Sequence, residues 1–187
     1  MMTSEYLPFD PVVDPKNRLP AGTVDCHFHV FEDPAVYPYT ENRSYTPSLA
    51  PWAAFQKMND TIGADRAVLV HPSVYGYDHS TLYDTLRAHP DRLRAVGVLS
   101  MDTTEAEIEK LHQAGTRGTR VNILFAGGSQ LQDAETLAKR IKPFGWHIQF
   151  LVDVAAQPEI PAWAAKLGVP VVFDHFGHPS VPDVSNA

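Results

Sequence analysis

Two histidines one residue apart, in Asp25-Cys26-His27-Phe28-His29, are the side chains of this sequence best placed to do chemistry. Successive side chains of a strand alternate, so Asp25, His27 and His29 share one side and Cys26 and Phe28 the other. Two imidazoles on one face can coordinate a divalent cation such as zinc or manganese, or, without metal, hydrogen-bond a substrate carbonyl. The plainer alternative is a polar pair satisfied by its neighbours. A third imidazole, His175 in Asp174-His175-Phe176-Gly177, closes a later apolar run and can converge on the same point.

Other candidates are binders. Arg120 and Asn122 share one face of their run, and an inward arginine needs an anionic partner: a substrate carboxylate or an internal aspartate. Ser73, in His71-Pro72-Ser73-Val74-Tyr75-Gly76, is a hydrogen-bond donor with no base placed beside it to make it a nucleophile. Tyr37, Tyr39 and Tyr45 lie in a long connection, Glu32 to Ala50, which is expected to cover the mouth of the site. His71, His79, His89, His112, His147 and His178 are given no role, and Arg117 is expected in a structural salt bridge.

The elements that must position these groups alternate. Apolar runs at Thr23–Phe31, Ala67–Val70, Ala95–Leu99, Val121–Phe125, Ile148–Val152 and Val169–Phe173 read as strands of a parallel sheet buried on both faces. Between them lie helical stripes: Trp52, Phe55, Met58 and Ile62; Leu131, Ala134, Leu137 and Ile141; Ile160, Trp163 and Leu167. Thr104 with Glu107, and Ser129 with Gln132, have capping-box spacing, and Gly115, Gly145 and Gly168 sit where helices end. The histidine pair, in place of a G-x-G-x-x-G loop after the first strand, favours a TIM-barrel-type (β/α)8 fold over a doubly wound sheet. Six strand-helix units are visible where a closed barrel has eight, so the chain reads as a truncated α/β barrel over 21–187 after an extension at 1–20. The first and sixth strands would be uncovered edges, through which self-association is expected.

Composition narrows the partners. A formal charge of -7 over 187 residues leaves no basic stripe for a polyanion, which argues against nucleic acid and for a small anionic substrate met by a few placed cations. Residues 1–20 lack a continuous apolar stretch, so neither a secretion signal nor a membrane span is expected. With a single cysteine, Cys26, this points to the cytoplasm.

Taken together, Val24–Phe31, Arg43–Pro47, His71–Gly76, Gly118–Asn122 and Phe173–Gly177 resemble the amidohydrolase-related family that includes 2-pyrone-4,6-dicarboxylate lactonase. The resemblance runs over nearly the whole chain after about Pro20. It implies a hydrolase that opens a lactone, with His27, His29 and His175 polarising the carbonyl or holding a metal that does. It also implies that Tyr45, Ser73 and Arg120 bind substrate oxygens, and that an aspartate on an eighth strand, past Ala187, activates water. In the pyrone lactonase a second arginine follows the one matched by Arg120. This chain reads Ile123-Leu124-Phe125-Ala126-Gly127-Gly128 there, which implies a different lactone. A metal-dependent decarboxylase of the same superfamily and a catalytically silent fragment are the competing readings.

Overall fold

The computed structural model describes residues 16–179. Six strands, β1 (Val24–Phe28), β2 (Arg66–Val70), β3 (Leu93–Gly97), β4 (Thr116–Asn122), β5 (His147–Leu151) and β6 (Val171–Phe173), form one parallel sheet in the order β1-β2-β3-β4-β5-β6. Strand order that never reverses is the signature of a barrel wall rather than of a doubly wound sheet. The wall curls: Asp174, just past β6, lies 3.5 Å from His27 of β1 at the opposite edge.

Helices α1 (Trp52–Ile62), α2 (Ser80–Ala88), α3 (Glu105–Ala114), α4 (Ala134–Ile141) and α5 (Ile160–Ala164) follow β1 to β5 in turn. The core lies between the outer face of the sheet and these helices. Phe28 stacks on Phe55 of α1 at 3.6 Å, Phe150 meets Trp163, and Leu69, Leu86, Ile108, Leu137, Ile141 and Ile148 are all but inaccessible. Each such side chain contributes about 1.5–3 kcal/mol by leaving water. Burying Phe28 against α1 turns His27 to the concave side.

The helix ends follow from local chemistry. Thr104 and Glu107 form the reciprocal capping box at the start of α3, and Gly115 ends that helix in the left-handed region at φ 119°. The second box is displaced by one residue. Gln130 and Asp133 form it, while the Ser129 hydroxyl donates to the Leu99 carbonyl and is buried. Two helices also differ from their sequence patterns. α2 packs only Leu82 and Leu86 with Thr81 and Thr85, too few apolar residues to mark it, and α5 stops at Ala164 before Leu167 is reached.

β4 is offset from its apolar run. It begins at Thr116 and ends at Asn122: Gly118 and Arg120, in register with His147 and Gln149, face the inside of the curve, while Thr119, opposite Ile148, is buried on the helix-facing side. Beyond Asn122 the apolar residues leave the sheet: the Asn122 side-chain oxygen accepts the N–H groups of Leu124 and Phe125, each at 3.0 Å, and turns the chain outward. The terminal segments 1–15 and 180–187 lie outside the described residues. Among the described residues no helix is long and apolar enough to cross a membrane.

Candidate active site

The concave face gathers one buried polar cluster. Arg120 of β4 donates from Nε and Nη2 to the same oxygen of Asp174, at 3.0 and 2.6 Å, and Gln149 of β5 donates to the other at 2.6 Å. All three side chains are buried. Arg120 and Gln149 are register partners on neighbouring strands, so both reach the space in front of β6 from one level. Of the two partners open to Arg120 from sequence, the structure shows the internal aspartate.

His27 completes this cluster. Its Nδ1 lies 3.5 Å from Oδ1, the oxygen that also accepts from Gln149, while its Nε2 is buried with no partner among the described residues. Burial alone would raise the Asp174 carboxyl, but hydrogen bonding to His27 and the Arg120 charge outweigh it and hold the group below the usual carboxylate range. The carboxylate thereby fixes the His27 ring and leaves Nε2 for a ligand.

His29 is set differently. Its Nδ1 lies 2.8 Å from the Val70 carbonyl, an oxygen that only accepts, so Nδ1 carries the proton and Nε2 the lone pair. Burial lowers its pKa to about 4, against which the Val70 hydrogen bond works only in part, and the ring is neutral at physiological pH. The His27 ring centroid is 5.1 Å from that of His29 and 5.1 Å from that of His175. His175 is held by a backbone turned left-handed at three non-glycine residues, His175 (φ 50°), Phe176 (φ 56°) and His178 (φ 48°). Such conformations store roughly 1–3 kcal/mol each and persist where surrounding contacts enforce them. Here Gly177 packs on Val154 and its carbonyl accepts the Val154 N–H at 2.9 Å.

A divalent ion fits this donor set. Histidines that bind metal through Nε2 usually donate Nδ1–H to a carboxylate or carbonyl, as His27 and His29 are placed to do. Donor atoms within 4.8 Å of one another come from His27, Asp174 and His175, a grouping that differs from His27, His29 and His175 in one member. Asp174 already serves Arg120 and Gln149, which makes it the weaker candidate for a ligand.

The binding candidates stand along the rim. Ser73 is buried and hydrogen-bonded with the Tyr45 hydroxyl, whose pKa burial raises while Ser73 and nearby Arg120 oppose the rise. Asn122 is buried, and its side-chain nitrogen has no partner among the described residues. Tyr37 donates to Asp84 on α2 and Tyr39 packs against Tyr75, so of the three loop tyrosines only Tyr45 turns to Ser73 and Arg120. The long connection is fastened across the β2–α2 segment by Thr40 N–H to the Val74 carbonyl and Glu32 N–H to the Tyr75 hydroxyl. Elsewhere His71 is buried with the half-buried His79 ring beside it, His79 accepting the Val98 N–H, and Arg117 donates to the His112 carbonyl at the end of α3 rather than to an acid.

Sequence reasoning passed over Gln149 and Asp174. Gln149 is the one polar residue within Ile148-Gln149-Phe150-Leu151-Val152, and Asp174 directly follows a strand run; each was a visible signal of an inward polar group.

The chain is 33% identical over 172 residues to a 2-pyrone-4,6-dicarboxylate hydrolase of Comamonas testosteroni, covering 89% of this chain and 55% of that protein. It is 29% identical over 167 residues to a 4-sulfomuconolactone hydrolase of Hydrogenophaga intermedia, covering 87% and 55%. A Pseudomonas putida crystal structure described as a 2-pyrone-4,6-dicarboxylic acid hydrolase superposes with a TM-score of 0.74 at 30% identity, over 87% of this chain and 60% of its own. The chain thus spans about half the length of the curated relatives it matches. The amidohydrolase family model matches residues 24–187, and with the parallel barrel wall and the histidine pair at its mouth this places the chain in the amidohydrolase family.

Proposed function

We propose that residues 21–187 carry the first six strand-helix units of a hydrolase that opens the lactone ring of a small carboxylated molecule by water attack. The observation that carries this reading is the His27 Nε2: buried, without a partner among the described residues, and backed by the Asp174 carboxylate at the mouth of a barrel wall. Attack of water on the lactone carbonyl places negative charge on the carbonyl oxygen, which returns to C=O as the ring oxygen leaves, and a preorganised donor to that oxygen lowers the barrier. A proton on the His27 Nε2 is the donor to that oxygen, with the ring oriented through Nδ1 by Asp174. The Asn122 side-chain nitrogen and the Tyr45–Ser73 pair bind and orient the substrate's other oxygens. His29, neutral with a lone pair at Nε2, accepts rather than donates.

If zinc or manganese is bound, His27, His29 and His175 would hold it, and it would polarise the carbonyl in place of the His27 donor. The compact His27, Asp174 and His175 grouping supports a second reading, a metal-dependent decarboxylase. One experiment separates them: metal analysis of the purified chain together with a panel of lactones and carboxylic acids, with and without chelator. Lactone hydrolysis that survives the chelator and is lost in His27→Gln supports the lactonase. Stoichiometric zinc or manganese with carbon dioxide release supports the decarboxylase. A soluble, monomeric chain inert toward every compound overturns both in favour of a silent fragment. The edges of β1 and β6 support self-association, which sedimentation velocity across concentrations tests.

A further inference from the structure

Past Asn122 the rim changes character. From Ile123 to Gln130 no residue is charged, and Leu124 and Phe125 are 37% and 40% exposed. Apolar side chains presented beside a buried polar cluster are what a ligand pocket offers, since such pockets are mostly apolar with a few convergent polar groups. Phe125 is also tied to the mouth: its ring meets the Tyr45 ring edge to face at 6.0 Å, and the Tyr45 hydroxyl is bonded with Ser73 near Arg120.

The segment is held firmly. Asn122 accepts the Leu124 and Phe125 N–H groups, and the Ala126 N–H donates to the Ser44 hydroxyl at 2.9 Å. Gly127, at φ 95°, lies so close to the Ser73 carbonyl that a Cβ would overlap it. Three rim segments therefore fix where the Phe125 ring stands. The nearest cation on this strand, Arg120, has two of its nitrogens committed to Asp174.

We propose that Phe125, with Leu124 and Tyr45, is a specificity wall that selects lactones carrying one carboxylate and an apolar or unsaturated ring edge. This rests on the lactone reading and narrows it. A substrate carboxylate reaches the Tyr45, Ser73 and Arg120 side of the mouth, whereas a second one, directed at Leu124 and Phe125, would lose water against the Phe125 ring and meet no charged residue between Ile123 and Gln130. Flat unsaturated rings suit an aromatic edge.

Isothermal titration of the full chain with 2-pyrone-6-carboxylate and with 2-pyrone-4,6-dicarboxylate tests this. Expected is at least tenfold tighter binding of the monocarboxylate by the wild type, a preference kept in Phe125→Leu, and a shift of at least tenfold toward the dicarboxylate in Phe125→Arg. Leu124→Arg, on the same segment, gives the same shift should Phe125→Arg fold poorly by circular dichroism. Wild-type preference for the dicarboxylate, or an unchanged ratio in a folded arginine variant, overturns the wall and leaves the lactone reading standing. Failure of the folded wild type to bind either pyrone overturns the lactone reading and this inference with it.

Discussion

The Arg120 guanidinium and the Asp174 carboxylate, 54 residues apart in sequence, meet at 2.6 Å and are each nearly inaccessible to water. Removing one partner strands a buried charge, which typically costs about 3–5 kcal/mol, whereas replacing both with neutral groups costs much less than the sum. Asp174→Asn and Arg120→Met should each lower the urea midpoint sharply, and the double variant should recover a large part. Additive losses would show that the two side chains do not pair in solution.

Acid should loosen the protein well before its carboxylates protonate. Burial lowers His29 and His79 to about 4, while unfolded histidines titrate near about 6.5. The unfolded chain therefore takes up protons first, so the stability these groups confer is complete above about pH 6.5 and is lost as pH falls toward 4, by up to about 1.4 kcal/mol per pH unit for each. Asp174 acts lower: its folded pKa is depressed, so its contribution is lost only as pH falls from about 3.9 through that lower value. Urea unfolding at pH 7 and pH 5 should show a clear fall in midpoint, and equal midpoints would contradict neutral burial of these rings.

Gly118 has no side chain because the His147 ring of β5 occupies the space a Cβ would need. Gly118→Ala should destabilise by about 1–3 kcal/mol, as overpacking usually does. In the His147→Ala background the same change should be mild, giving a coupling of about 1–2 kcal/mol in a double-mutant cycle. An equal penalty in both backgrounds would place the strain elsewhere.

The capping box of α3 offers a local test. Thr104→Ala removes the acceptor for the Glu107 N–H and should cost about 0.5–2 kcal/mol, while Thr104→Ser should be nearly neutral. Thermal unfolding of the two variants, compared with wild type, decides it.

How much of this was legible beforehand depended on the residues concerned. The strand repeat and its single direction could be read because each β unit places an apolar run against helices, as Leu69, Ile148 and Phe150 do. The same rule misplaced β4, whose inward residues are Gly118, Arg120 and Asn122 and whose apolar residues beyond Asn122 belong to the rim. His27 and His29 stood out by spacing, but the partner of His27 could not. Asp174 reaches it only because the sheet curls, a relation between residues 147 positions apart that no local pattern encodes. Gln149 was legible by the same alternation, since Ile148 and Phe150 on either side of it pack against the helices and leave it on the inner face.

The mouth is laced together by a glycine backbone, an asparagine amide and a serine hydroxyl, so the side chains at 124 and 125 bear little of its mechanical duty. Those two positions are free to vary while the scaffold stays put. Descendants of such a protein could exchange one metabolite for another by altering a pair of codons, with the imidazoles and their carboxylate partner left as they are.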